Sequence, residues 1–233
     1  MSGSFSDTLD LLRHFDGDEA SLADLIAPIF PATSVSVMTL GILPAATVSA
    51  TDTRAAGIDE LQLDLGEGPV WDALRDARPV LEPDLRRTTD GRWPAFTEAI
   101  EQHDVAALFV FPLRVGHLGL GALTLSSRTP VTLTAEQGSQ AGLLAGTVSA
   151  LLLRLALERV GNDTDGAVPE MHSRRTIHQA TGMVIVQAGV SAADAELLIR
   201  GHAFAENTTM RHVASEILQK RLTFQPLSMG SED

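Results

Sequence analysis

The chain has 233 residues, 44% of them hydrophobic, which is enough apolar material for two modest cores. It contains no cysteine, so disulfides, thiolate metal centres, iron–sulfur clusters and cysteine nucleophiles are excluded. A formal net charge of −13 argues against indiscriminate affinity for nucleic acid.

The opening stretch, MSGSFSDTLDLLRHF, has no basic region followed by an apolar run, so it does not read as a signal peptide. Leu9, Leu12 and Phe15 predict a short first helix, and Leu22, Leu25, Ile26 and Ile29 a second that ends at Pro28 and Pro31. Val35 and Val37 alternate with Ser34, Ser36 and Thr39, the pattern of a strand with one wetter face. Thr47 to Thr51 is its expected partner after a turn at Pro44. The acids Asp59 and Glu60 read as a solvated helix face. Further on, Ala107 to Val115 and Leu118 to Leu125 flank Gly116-His117, a two-residue turn of the hairpin kind. Paired strands with helices at both ends imply an α+β fold with an antiparallel sheet.

Residue identities in this part add a resemblance. The run Leu61-Gln62-Leu63-Asp64-Leu65-Gly66-Glu67-Gly68-Pro69-Val70, followed by Asp72-Ala73, resembles a GAF domain. So do Pro79-Val80, Asp84-Leu85, Arg92-Trp93-Pro94 and the hairpin from Phe111-Pro112-Leu113 to Leu118-Gly119-Leu120-Gly121-Ala122-Leu123. The resemblance implies a sensory domain over residues 1–133, answering to a small-molecule or protein signal. Trp71, Trp93, Phe96, Phe109 and Phe111 are the candidate pocket residues, although aromatics in a small domain are also plain core. No cofactor and no metal is expected, and the local histidines, His14, His103 and His117, are not taken as ligands.

Residues 134–160 predict a connecting helix. Thr134 with Gln137 is a capping-box signature. Ala141, Leu144, Val148, Leu151 and Leu155 then follow at spacings of three and four, a short seam suited to a homodimer, which Leu143 and Leu152 widen. The apolar region from Leu143 to Leu157 is broken by Arg154 and reads as too short to span a bilayer, so a soluble, cytoplasmic protein is expected. The helix should stop at Gly161, with residues 161–169 as a flexible joint.

Residues 170–224 predict three short helices. Ile177, Ala180, Val184 and Ala188 form the first stripe, Ala195, Leu198, Ile199 and Ala203 the second, and Met210, Val213, Ala214, Ile217 and Leu218 the third. Gly189 suits a helix end, Ser191 an N-cap with Asp194 in the first turn, and Asn207 to Thr209 a second stop and restart. Each helix is too short to stand alone in water, so the stripes must be buried together. The pattern is equally that of a structural or dimerising bundle. Residues 225–233 read as a disordered tail.

The run Ile177-His178-Gln179-Ala180-Thr181-Gly182-Met183-Val184 resembles the opening of the ANTAR domain, a three-helix module of transcription antiterminators. Ala195 with Leu198, Ala203, and Val213-Ala214 are similar to its later positions. Many members carry a lysine where Thr181 stands. The pairing of GAF with ANTAR is a familiar actinobacterial arrangement, and it implies binding of mRNA leader hairpins so that an overlapping terminator does not form. Arg174, Arg175, His178 and Thr181 are the residues placed near the RNA, with Arg174, His178 and Thr181 on one helix face away from the apolar stripe. Arg200, Arg211, His212, Lys220 and Arg221 are further candidates for phosphate contacts. Charge separates the two parts: residues 1–169 hold 11 Lys+Arg against 23 Asp+Glu, and residues 170–224 hold 6 against 5.

Enzyme motifs are absent from the sequence: no Walker A loop, no H-E-x-x-H, no G-x-S-x-G and no strand-linked dinucleotide fingerprint. A dimeric sensory scaffold, its bundle binding a protein partner, is the alternative to RNA regulation. DNA binding by the three helices is disfavoured by their weak net charge.

Overall fold

The computed structural model describes residues 4–30, 33–87, 91–162, 172–206, 208 and 210–224, with the side chains of residues 160–162, 172–175, 204 and 211 outside that description. Contacts divide the chain into two units, Met1–Val168 and Pro169–Asp233.

In the first unit, helix α1 (Phe5–Arg13) opens on a capping box in which Ser4 and Asp7 satisfy one another's backbone N–H groups. Helix α2 (Leu22–Ile26) runs into a 3-10 turn at Ala27–Ile29, where Pro28 removes a donor and the α-helix ends. Strands β1 (Ser34–Thr39) and β2 (Ala46–Ala50) pair antiparallel, and helices α3 (Thr53–Leu65) and α4 (Pro69–Asp76) follow. A short strand β3 (Val80–Glu82) and helix α5 (Pro94–Ile100) precede the long hairpin of β4 (Ala107–Val115) and β5 (Leu118–Ser127). The sheet order is β2-β1-β5-β4-β3, antiparallel throughout. Gly116 takes a φ of +60° in the two-residue turn, the backbone that the hairpin requires.

The sheet is covered on both faces. One carries Phe109, Phe111, Leu113, Val35 and Val37 against α1, α2 and the long helix α6 (Ala135–Asn162). The other carries Leu108, Val110, Met38 and Ala122 beneath α3, α4 and α5. The wetter face expected for β1 is therefore buried, because α3 lies over it; every residue of the strand is buried. Gly121 sits where β5 and β1 approach most closely, and a Cβ there would lie 1.8 Å from the Met38 carbonyl oxygen. The register of β4 slips between Leu113 and Arg114, and the Arg114 N–H donates instead to the Ser149 hydroxyl of α6 at 2.8 Å.

Helix α6 opens on the predicted capping box: the Thr134 N–H donates to Gln137 Oε1 at 2.9 Å and the Gln137 N–H to Thr134 Oγ1 at 3.1 Å. It extends through Asn162, one residue past Gly161. Ala141, Leu144, Val148 and Leu151 are buried on the helix's own sheet, with Leu155 partly so. They are core, and this seam does not face a partner. Length alone does not exclude a span either, since α6 is long and apolar enough to cross a membrane. Its inner face is taken up by the sheet instead.

The second unit comprises α7 (His172–Ala188), α8 (Ala192–Ala205) and α9 (Met210–Leu218). Ile177, Ala180, Val184, Ala188, Ala195, Ile199, Ala203, Met210, Val213, Ala214 and Ile217 form its core, as the spacing predicts, with Leu198 and Leu218 packed at its margin. Gly189 ends α7 with a φ of +69°, and the Asp194 N–H donates to Ser191 Oγ at 3.2 Å to start α8.

Candidate nucleic-acid interface

Among the described residues, five of the eleven core positions of the second unit are alanines, which let its three helices approach closely around a small core. Helix α7 packs on both α8 and α9, which covers two of its sides. That geometry separates the predicted RNA residues. His178 is exposed on α7, as an RNA contact requires. Thr181 is not: it is buried, and its hydroxyl donates to the Ile177 carbonyl at 2.9 Å. The position lies beside Ala188 at the edge of the apolar stripe, so its hydroxyl is held by the helix's own backbone rather than offered to a phosphate. Arg200 on α8 is half-buried and held by Glu196 one turn earlier at 3.5 Å. Arg174 and Arg175 lie on α7 and Arg211 on α9, but their side chains fall outside the described residues. Gln179, Gly182 and Val186 add an exposed strip to α7, with Val186 84% exposed.

In the first unit the five candidate aromatics do not converge. Trp93 and Phe96 are buried in the cluster under α3, α4 and α5, with Trp71 partly buried beside them. Phe109 and Phe111 point to the opposite face of the sheet and pack against α6. They sit two apart on β4, so they share a face with each other, and that face is not the one the tryptophans occupy. The Gly-Glu-Gly-Pro segment has a structural task. Gly66 ends α3 in the left-handed region, Pro69 starts α4, and Glu67 Oε1 accepts the Phe96 N–H at 3.0 Å, capping α5. The Trp71 indole N–H donates to the Gln62 carbonyl at 2.7 Å and the Trp93 indole to Asp72 Oδ2 at 3.0 Å, so both rings are held in place.

Asp59 departs furthest from its sequence reading. It is fully buried rather than solvated, and accepts from the Ser36 hydroxyl at 2.9 Å and the Thr47 hydroxyl at 3.4 Å. Burial away from water pushes its carboxyl up from 3.8 to about 7, against the pull of those two hydroxyls. Opposite Ser36 and Ser34 in the β-ladder stand Thr124 and Ser126, whose buried hydroxyls have no partner. The serines and threonines of β1 and β5 were the signal for this polar interior; only the helix laid over them shows that an acid joins it. Among the described residues no cluster of three His, Asp or Glu side chains could hold a metal ion.

Comparison with known proteins follows this division. The GAF domain family model matches residues 9–152, and the ANTAR domain model residues 169–218. Among solved structures, the chain is similar to the GAF domain of a phosphoenolpyruvate-protein phosphotransferase from Coxiella burnetii, with a TM-score of 0.52 and 14% identity over 67% of this chain and 96% of that one. The corresponding GAF domain from Acinetobacter gives a TM-score of 0.50 and 12% identity over 71% of this chain and 100% of that one. At such identities these likenesses establish the fold alone. No curated protein matches the chain.

Proposed function

Since the chain belongs to the GAF domain family and carries an ANTAR domain after its GAF domain, we propose that it is a signal-responsive regulator that binds hairpin loops in nascent mRNA and so prevents transcription termination. The observation that carries this reading is the ANTAR match over a three-helix unit that buries its apolar stripes while His178 stays exposed on α7. An A-form stem hides its base edges from side chains, whereas a loop presents them, so a small bundle with few placed polar groups suits a hairpin loop. Arg174, Arg175, His178, Arg200 and Arg211 remain the proposed contacts.

The regulator acts in the cytoplasm, where nascent mRNA is, and as a homodimer. Its dimer face is the outer side of α6, where Leu143, Gly146, Ala150, Leu153 and Leu157 follow at spacings of three and four, with Leu143 58% and Leu157 63% exposed. A small-molecule or protein signal at the GAF domain shifts the population of α6 arrangements and hence the presentation of the two ANTAR units. The chain is read as a regulator and not as an enzyme.

Crosslinking in host cells followed by sequencing of the bound RNA tests the reading. Hairpin loops overlapping terminators should be enriched, and the double substitution Arg174→Ala with His178→Ala should abolish the enrichment while the variant keeps its helical circular dichroism and cooperative unfolding. The exposed Val186 and Leu197 favour a second reading, a scaffold whose bundle binds a protein. Absence of enriched RNA under every growth condition would replace the first reading by the second.

A further inference from the structure

The C-terminal unit contains an open cleft of about 480 Å³ at the corner between α8 and α9. After α9 the chain turns back at Lys220, whose φ is +60°, and the Arg221 N–H donates to the Glu216 carbonyl. The returning segment is then tied to α7, as the Phe224 N–H donates to Gln187 Oε1 at 3.1 Å. The Phe224 ring meets His202 of α8 edge-on at 5.9 Å, which fixes the imidazole. The cleft between these pieces therefore has a held aromatic ring, His202, on one wall, His212 on α9, and Val213 and Leu222 as apolar lining.

Its polar groups are unevenly engaged. Arg221 grips Glu216 with two hydrogen bonds, Nε to Oε2 at 2.8 Å and Nη2 to Oε1 at 2.5 Å, and holds that carboxylate below the ordinary glutamate range. This pair is neutral as a unit. Glu206 also lines the cleft, and its carboxylate has no ion-pair partner among the described residues. A flat ring, an apolar lining and a carboxylate that only accepts hydrogen bonds disfavour a phosphate, which Glu206 repels. They match a heteroaromatic ring with donors on its edge.

We propose that this cleft receives one unpaired loop base of the bound RNA, a base whose edge carries an amino group, with Glu206 accepting from that group. The proposal rests on the RNA-binding reading above and assigns within it the place where loop sequence is read. Arg221, 57% exposed in spite of its ion pair, is positioned at the same cleft to meet the nucleotide's phosphate. Uracil lacks the amino group, and its one edge donor, N3–H, lies between two carbonyl oxygens that a carboxylate repels, so it is disfavoured there.

The test is selection by the full-length chain from a hairpin library with one constant stem and a randomised loop. The native chain should enrich loops with adenine, guanine or cytosine at one position and disfavour uracil there by about tenfold, the discrimination expected of one good base contact. Glu206→Gln alters an exposed side chain without changing its shape, and its carboxamide donates as well as accepts. It should reduce that discrimination to about threefold or less. Identical loop preferences from the native chain and the variant would overturn the cleft assignment and leave RNA binding intact. Failure of the native chain to enrich any loop would overturn the RNA reading and the cleft together.

Discussion

Asp59 carries the clearest consequence of a single residue's surroundings. Its folded-state pKa, about 7, stands above the ordinary 3.8 because it is buried under α3 with only two hydroxyls to replace water. Below 3.8 the group is protonated folded or unfolded, and its contribution to stability is fully present. As pH rises, the unfolded chain ionises first, and stability falls until the folded pKa is passed near 7. Asn at this position stays neutral, and both hydroxyls can rotate to suit it. Asp59→Asn should therefore be more stable than the native chain at pH 8, by a margin on the order of 2–3 kcal/mol larger than at pH 5. Chemical denaturation at the two pH values measures it, and a margin independent of pH would show that Asp59 titrates as an ordinary carboxylate. Neither this burial nor that of Thr181 can be read from the positions themselves. Each polar residue sits one helix position from an apolar stripe, and the width of the buried arc depends on how many neighbours the helix has.

Helix α6 shows the same ambiguity for a whole element. Its capping box and its length follow from local chemistry, and both appear as expected. Its apolar residues form two seams around the helix, Ala141-Leu144-Val148-Leu151 and Leu143-Gly146-Ala150-Leu153-Leu157, and periodicity cannot say which seam meets the sheet. Burial assigns the first to the core and leaves Leu143 and Leu157 outside. The double substitution Leu143→Glu with Leu157→Glu should convert the proposed dimer to a monomer while the GAF core stays folded, since neither side chain is buried. Sedimentation equilibrium with circular dichroism reads both quantities. An unchanged molecular weight would move the interface elsewhere.

Over the whole molecule, charge constrains how the chain would hold the proposed RNA. The net of −12 over residues 1–169 repels a polyanion, and residues 170–224 offer only 6 Lys+Arg. Two of these, Arg200 and Arg221, are already engaged by Glu196 and Glu216. Even with all six on phosphates, the slope of log K against log salt is no steeper than about −5, so specificity is carried by loop contacts. Titration of a selected hairpin between low and physiological salt gives the slope. A value near −8 would mean that phosphate contacts dominate and that the loop-reading account is wrong.

The two-part organisation, the antiparallel α+β domain, the long capped helix and the three helices of the second unit were all legible in the residue order. Each rests on local signals, such as periodicity, caps, glycines at turns and motif identity, that do not depend on distant neighbours. Tertiary structure alone decided which faces were covered. It buried Asp59, enclosed Thr181, sent Phe109 and Phe111 to the sheet face opposite the tryptophans, and turned the outer side of α6 to solvent. It also assembled the cleft at Glu206, whose walls come from α8, α9 and the returning chain. The physical reason is that burial is a property of pairs of surfaces: a sequence stripe specifies one surface, and the packed fold supplies the other.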